Sequence, residues 1–249
     1  MSTNPLAGKV AVVCGGSGGI GAGSARLLAA AGATVVVGYH NNATKAASVA
    51  AGLSGEGHLA LAAPMTDSEA LGRLAEAVAT RLGRADILVN SAGMTRPVAH
   101  RELDALTDEI IDEVFKVNWR GPFAAVRAFR PLLAASGDGL VVNISSIAAS
   151  TGVGSSIAYC GAKAGLDIMT VALARALAPE VRVLAVSPGV VDTEFVAGRT
   201  AEANAKIAAG TPLKRVASTE EVARAVLACA THLTFSTGSI IQVDGGRHL

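Results

Sequence analysis

The sequence predicts an α/β fold: a doubly wound parallel β-sheet with helices on both faces. Three observations predict it. Short Val/Leu/Ile runs alternate with Ala-rich helical stretches along all 249 residues. The runs are nearly continuous rather than alternating, as strands buried on both faces require. Finally, 51% of the residues are hydrophobic and 16% charged, with no Pro- or Ser-rich linker and no composition break, so 1–249 reads as one domain.

In chain order, VAVVC (10–14) is the first strand, ended by glycines, and an Ala-rich helix follows near 20–31. TVVV (34–37) is the second strand, with a helix near 43–53; LALA (59–62) is the third, with a helix near 67–82. ILV (87–89) precedes two helical stretches near 103–115 and 119–135. LVVNI (140–144) leads into the helix near 157–178, and VRVLAV (181–186) is the sixth strand. The segment from about 192 to 214 interrupts the rhythm with a polar helix at 200–209. An excursion after a strand's carboxyl end lies where an open sheet binds ligands, so it reads as a substrate lid, or else as an ordinary surface excursion. A helix near 218–230 and the strand IIQV (240–243) close the chain.

Several function classes are disfavoured. A net charge of +1 without a basic stripe argues against nucleic acid, and Lys214-Arg215 is too short to be more than solvated surface. No run approaches the roughly 18 apolar residues of a membrane span. Met1–Ala7 is short and polar, unlike a secretory leader, and Cys14, Cys160 and Cys229 are scattered; both suit a cytoplasmic protein with buried thiols. His40, His58, His100, His232 and His248 lack metal-ligand spacing, so no metal is expected.

Two motifs carry chemistry. The first strand runs into Gly15-Gly-Ser17-Gly18-Gly19-Ile20-Gly21 and then a helix. Gly15 suits a tight turn, Gly19 lets a pyrophosphate near the backbone, and Gly21 lets helix and strand pack; free N–H groups at the helix start would face the phosphates. The second is Tyr159, one of two tyrosines, four residues before Lys163 on one helical face. Phenols titrate near pH 10, and a neighbouring ammonium is expected to lower that value, giving an acid for carbonyl reduction and a base for alcohol oxidation. Ser146, thirteen residues before Tyr159 at a strand's end, could hydrogen-bond the substrate oxygen.

The GxxxGxG spacing (Gly15, Gly19, Gly21) and YxxxK resemble the short-chain dehydrogenase/reductase family over essentially the whole chain. LVNSAG (88–93), VNWRG (117–121), VNISS (142–146), SPGVVDT (187–193) and VDGG (243–246) fall in that family's order. The resemblance implies a Rossmann fold, an NAD(P) cofactor and a small carbonyl or alcohol substrate. It picks Ser146 over Ser145 and gives Lys163 a second role on the nicotinamide ribose. It also makes Asn118 a catalytic asparagine that bends its helix and holds a relay water; a helix N-cap is the local alternative. Asn90 would stabilise the central strand, with Ala92-Gly93 beneath the cofactor, and Pro188, Gly189, Val191 and Thr193 would receive the carboxamide.

The second strand ends in Tyr39, His40 and Asn41, with no acid for a ribose 2′-hydroxyl, which favours NADP over NAD. NADP-preferring relatives often place a basic residue just before the second glycine, where this chain has Gly18. Pro64 stands where the family often has an adenine-binding Asp, leaving backbone contacts from Met65 and Thr66. The expected substrate wall is Met94–Arg96, Ile147, Ala148, 152–155, Val190 and the lid, with Arg96 either an anion handle or plain surface. The sequence loosely resembles 3-oxoacyl carrier-protein reductases, yet lacks basic residues at 137–139 and 179–180 for an acidic carrier. The resemblance implies that the Ala/Leu-rich helices near 103–135 and 157–178 pair between subunits in a homotetramer; burial of those faces against the sheet is the alternative. A dinucleotide-sensing regulator on the same fold is the alternative; retention of Asn118, Ser146, Tyr159 and Lys163 together argues against it.

Overall fold

The computed structural model describes residues 4–193, 195 and 200–249, so the expected lid lies partly outside the described residues. Among the described residues, seven strands form one parallel sheet: β1 (Val10–Cys14), β2 (Thr34–Tyr39), β3 (Leu59–Ala62), β4 (Ile87–Asn90), β5 (Gly139–Ile144), β6 (Val181–Pro188) and β7 (Ile240–Val243). Their order is β3-β2-β1-β4-β5-β6-β7. The order reverses between β1 and β4, which opens a crevice at the carboxyl ends of the strands. Each expected strand forms. β2 and β4 run further than their apolar stretches, because register continues to Tyr39↔Ala62 and Asn90↔Asn143.

The helices are α1 (Gly19–Ala30), α2 (Ala43–Ala51), α3 (Ser68–Leu82), α4 (Asp108–Phe115), α5 (Gly121–Ala135), α6 (Ala148–Thr151), α7 (Ile157–Leu177), α8 (Ala201–Ala209) and α9 (Thr219–Thr231). Successive strand residues point to opposite faces. Val13, Val35 and Val37 pack with Leu28 of α1 and Val222 and Val226 of α9. Val12, Leu88 and Val141 pack on the other side with Leu71 and Val78 of α3 and Phe129 and Leu133 of α5. At the sheet's base the buried Asp86 carboxylate accepts from Val10 N (2.8 Å) and Arg84 Nε (2.9 Å), with Lys9 Nζ at 3.2 Å. Burial pushes that carboxyl up, but Arg84, the Val10 amide and Lys9 together hold it below the usual aspartate value.

Three expectations need correction. The helix expected at 103–115 is a 3₁₀ turn, Leu103–Ala105, followed by α4, because Thr107 is extended (ψ 162°) and restarts the helix. The next helix begins at Gly121 rather than 119, since Lys116–Arg120 is a π-helical segment. And α7 is long and apolar enough by composition to cross a membrane, although the sequence reading finds no such run. Its inner side, from Ala158 through Tyr159, Lys163 and Leu166 to Ala174, is buried in the fold.

Candidate active site

A cleft of about 1210 Å³ lies at the carboxyl ends of the strands. Gly15, at φ +79°, turns the chain at the end of β1; a Cβ there would sit 2.6 Å from Ala92 N. A Cβ on Gly21 would lie 2.1 Å from Gly15 O, so only glycine closes this turn. Gly18 is the N-cap of α1 without a side-chain cap, and the first turn holds no acid. The leading N–H groups therefore face the cleft as donors for an anion. Ser17, Gly18, Gly19 and Ile20 form this wall; Pro188, Gly189, Val191 and Thr193 stand in the cleft too. Thr193 Cγ2 is 3.7 Å from where a Gly19 Cβ would be.

The floor is built by asparagines. Asn90 Nδ2 donates to Asn143 Oδ1 (2.9 Å), and Asn143 Nδ2 to Thr170 Oγ1 (2.9 Å), tying β4 to β5 and α7 as the resemblance implies for the central strand. Asn118 lies buried in the π segment and is not an N-cap. Its Nδ2 donates to Val114 O (2.9 Å) and Met94 O (2.8 Å), taking up the helix carbonyl that the π turn releases. Asn118 Oδ1 and Lys163 Nζ lie 3.0 and 3.8 Å from the point a Gly93 Cβ would occupy, so residue 93 must stay small.

Ser156 caps α7 by accepting from Tyr159 N at 3.2 Å, which starts the helix one turn before Lys163. Tyr159 is buried with its phenol beside Ser146, whose Oγ accepts from Ala148 N at 3.2 Å. Burial raises the phenol to about 12, and the Ser146 hydroxyl beside it only partly opposes this. That reverses the expected direction. Lys163 Nζ sits 5.8 Å from the Tyr159 ring centroid and donates to Ile144 O at 2.7 Å, so its charge is directed at a carbonyl. Burial lowers Lys163 to about 8, and the Asp167 carboxylate one turn on opposes this. Asp167 itself is raised by burial, against Ser145 and Lys163. Ser145 Oγ and Asp167 Oδ1 are both buried, and neither has a hydrogen-bond partner among the described residues.

Other expected residues fall elsewhere. Tyr39 packs on the core, while His40 and Asn41 are exposed at the end of β2 outside the cleft wall. Met65 is buried, its carbonyl 2.7 Å from a Gly121 Cβ position, and Thr66 O is taken by Arg120 Nη2 at 2.7 Å. Those two carbonyls are thus turned toward α5. Met94–Arg96 do not line the cleft, and Arg96 pairs with Glu113 at 3.1 Å, which removes it as an anion handle. Cys14 and Cys229 are buried as expected, whereas Cys160 is only half-buried. Sequence reasoning missed Lys45, Arg26 and Arg247 on the cleft wall. Only proximity in space reveals them.

A family model described as enoyl-(acyl carrier protein) reductase matches residues 15–248. The crystal structure of a protein described as a short-chain dehydrogenase/reductase from Burkholderia xenovorans superposes with a TM-score of 0.89. It is 34% identical and covers 96% of this chain and 97% of its own. The chain belongs to the short-chain dehydrogenase/reductase family. Among the similar relatives of this reductase is a ketoacyl reductase assigned to granaticin polyketide synthase in Streptomyces violaceoruber, 38% identical over 100% of both chains. Another is cis-4-hydroxycyclohexanecarboxylate dehydrogenase of Sinomonas cyclohexanicum, 39% identical over 97% of each. The chain is accordingly an oxidoreductase of carbonyl and alcohol groups that uses a nicotinamide dinucleotide. Its glycine turn, with no room for a Cβ at Gly21 and an uncapped helix start, fits the dinucleotide's pyrophosphate.

Proposed function

We propose that this protein is an NADP(H)-dependent ketone reductase and alcohol dehydrogenase with Tyr159 as its general acid and base. The observation that carries the reading is the buried phenol of Tyr159, beside Ser146 and one turn from Lys163 in the cleft wall. A bound nicotinamide dinucleotide supplies the hydride for reduction and accepts it in oxidation. In reduction, Ser146 orients the carbonyl oxygen and Tyr159 gives it the phenolic proton. A phenol raised to about 12 stays protonated at neutral pH, which is the form a proton donor needs. Lys163, charged below about 8, stabilises the phenolate left behind, and Asn118 holds the floor at Met94. Ile147, Ala148, Val153 and Phe195 make an apolar wall beside the phenol, suited to a carbon-rich ketone.

Absence of a carboxylate at Tyr39–Asn41 supports NADP, since an acid there would repel a 2′-phosphate. Trp119, Phe123 and Ile168 leave an exposed apolar face on the π segment, α5 and α7, which supports a homotetramer built on these helices. Three free cysteines support a cytoplasmic setting. Fluorescence titration with NADPH and NADH, with turnover of wild type and Tyr159→Phe, tests the proposal. The expected result is tighter NADPH binding in both proteins and loss of turnover in the variant. Full reductase activity in Tyr159→Phe would sink the mechanism.

A further inference from the structure

The corner of the cleft beside Gly18 holds a cation that the glycine motif does not account for. Lys45 is the third residue of α2, six positions past the end of β2. A Cβ built on Gly18 would lie 3.4 Å from Lys45 Nζ and 3.7 Å from its Cε. The ammonium thus occupies the volume a side chain at position 18 would enter. Asn42 fixes where this lysine starts: its Oδ1 accepts from Lys45 N at 2.8 Å as the N-cap of α2. Arg26 and Val49 line the same cleft, and among the described residues no carboxylate pairs with Lys45 or Arg26. In an open sheet of this kind the adenosine ribose lies at the carboxyl end of the second strand, with the pyrophosphate at the glycine turn. The corner between Gly18 and α2 is therefore on the ribose side.

We infer that Lys45 selects NADP(H) over NAD(H) by placing its ammonium against the 2′-phosphate, at the spot a basic side chain on residue 18 would otherwise serve. This rests on the NADP reading above and names the residue that enforces it. A phosphate monoester offers the ammonium charge and three acceptor oxygens; the free 2′-hydroxyl of NAD offers no charge. Gly18 and Lys45 are coupled, because a long side chain at 18 would displace the lysine. Lys45 is exposed, so the contact weakens as salt rises.

The test titrates wild type, Lys45→Met, Lys45→Arg and the double variant Lys45→Met/Gly18→Arg with NADPH and NADH by nicotinamide fluorescence. The fragments 2′,5′-ADP and 5′-AMP are followed by calorimetry at low and high salt. Lys45→Met should weaken NADPH and 2′,5′-ADP about tenfold at low salt and leave NADH and 5′-AMP unchanged. Unchanged NADH binding also shows that the variant folds. Lys45→Arg should keep the preference, and Gly18→Arg should restore it in the methionine background. An NADPH preference that survives Lys45→Met, or equal losses for both dinucleotides, overturns this assignment and leaves the NADP reading standing. Tighter NADH binding by wild type overturns both.

Discussion

Tyr159 and Lys163 titrate in opposite directions because one is neutral and the other charged when protonated, and burial disfavours the charged form of each. Two expectations follow at the residue scale. Reductive kcat/KM should fall as pH rises through about 8, where Lys163 loses its proton, while the phenol keeps its own until about 12. A pH profile flat to pH 10 would remove the lysine charge from the mechanism. Lys163's folded value lies below its unfolded one, so its stability contribution is full above about 10.5 and is lost as pH falls through about 8. Urea midpoints of wild type relative to Lys163→Met should therefore rise between those values. At the turn, Gly21→Ala would force a Cβ to 2.1 Å from Gly15 O. That variant should lose dinucleotide binding by titration while far-UV circular dichroism is retained.

Helices and strands place these groups through a few local devices. Ser218 accepts from Glu221 N at 3.2 Å while Glu221 Oε2 accepts from Ser218 N at 2.9 Å, a capping box that starts α9 over the core of β1 and β2. Ser218→Ala should cost about 1 kcal/mol in urea unfolding. Asp86 joins the start of β1 to β4 through the Val10 amide, so Asp86→Asn should cost about 1–3 kcal/mol by the same measurement. Its native contribution is present above the unfolded carboxyl value near pH 3.9 and is lost as pH falls through the lowered folded value. The gap between wild type and variant should therefore close in acid. The π segment is the element least legible in the sequence. Asn118 stands out only by resemblance, while the spare carbonyl it satisfies exists only once the helix has bulged.

Across the whole molecule, Trp119, Phe123 and Ile168 leave an exposed apolar face on the π segment, α5 and α7. Trp119 stacks on Phe123 with ring centroids 6.3 Å apart and lies against Gly165 of α7, so the patch is a preformed plate. Light scattering at micromolar concentration should show a tetramer, and Phe123→Glu with Ile168→Lys should reduce the mass. A monomeric wild type would refute the assembly.

Strand positions and the shared helical face of Tyr159 and Lys163 were written in local pattern: apolar runs predict buried strands, and four-residue spacing predicts one face whatever surrounds it; the order of the strands in the sheet was not. Gly15, Gly19 and Gly21 were legible for the same reason, since a turn between strand and helix restricts its own backbone. Tertiary structure decided what depends on distance between remote residues. It buried Tyr159, which set the direction of its titration; it paired Arg96 with Glu113; and it carried Lys45 across to Gly18, twenty-seven positions away. Charge and desolvation act through space, and one chain read in order holds no record of which side chains will share a cleft.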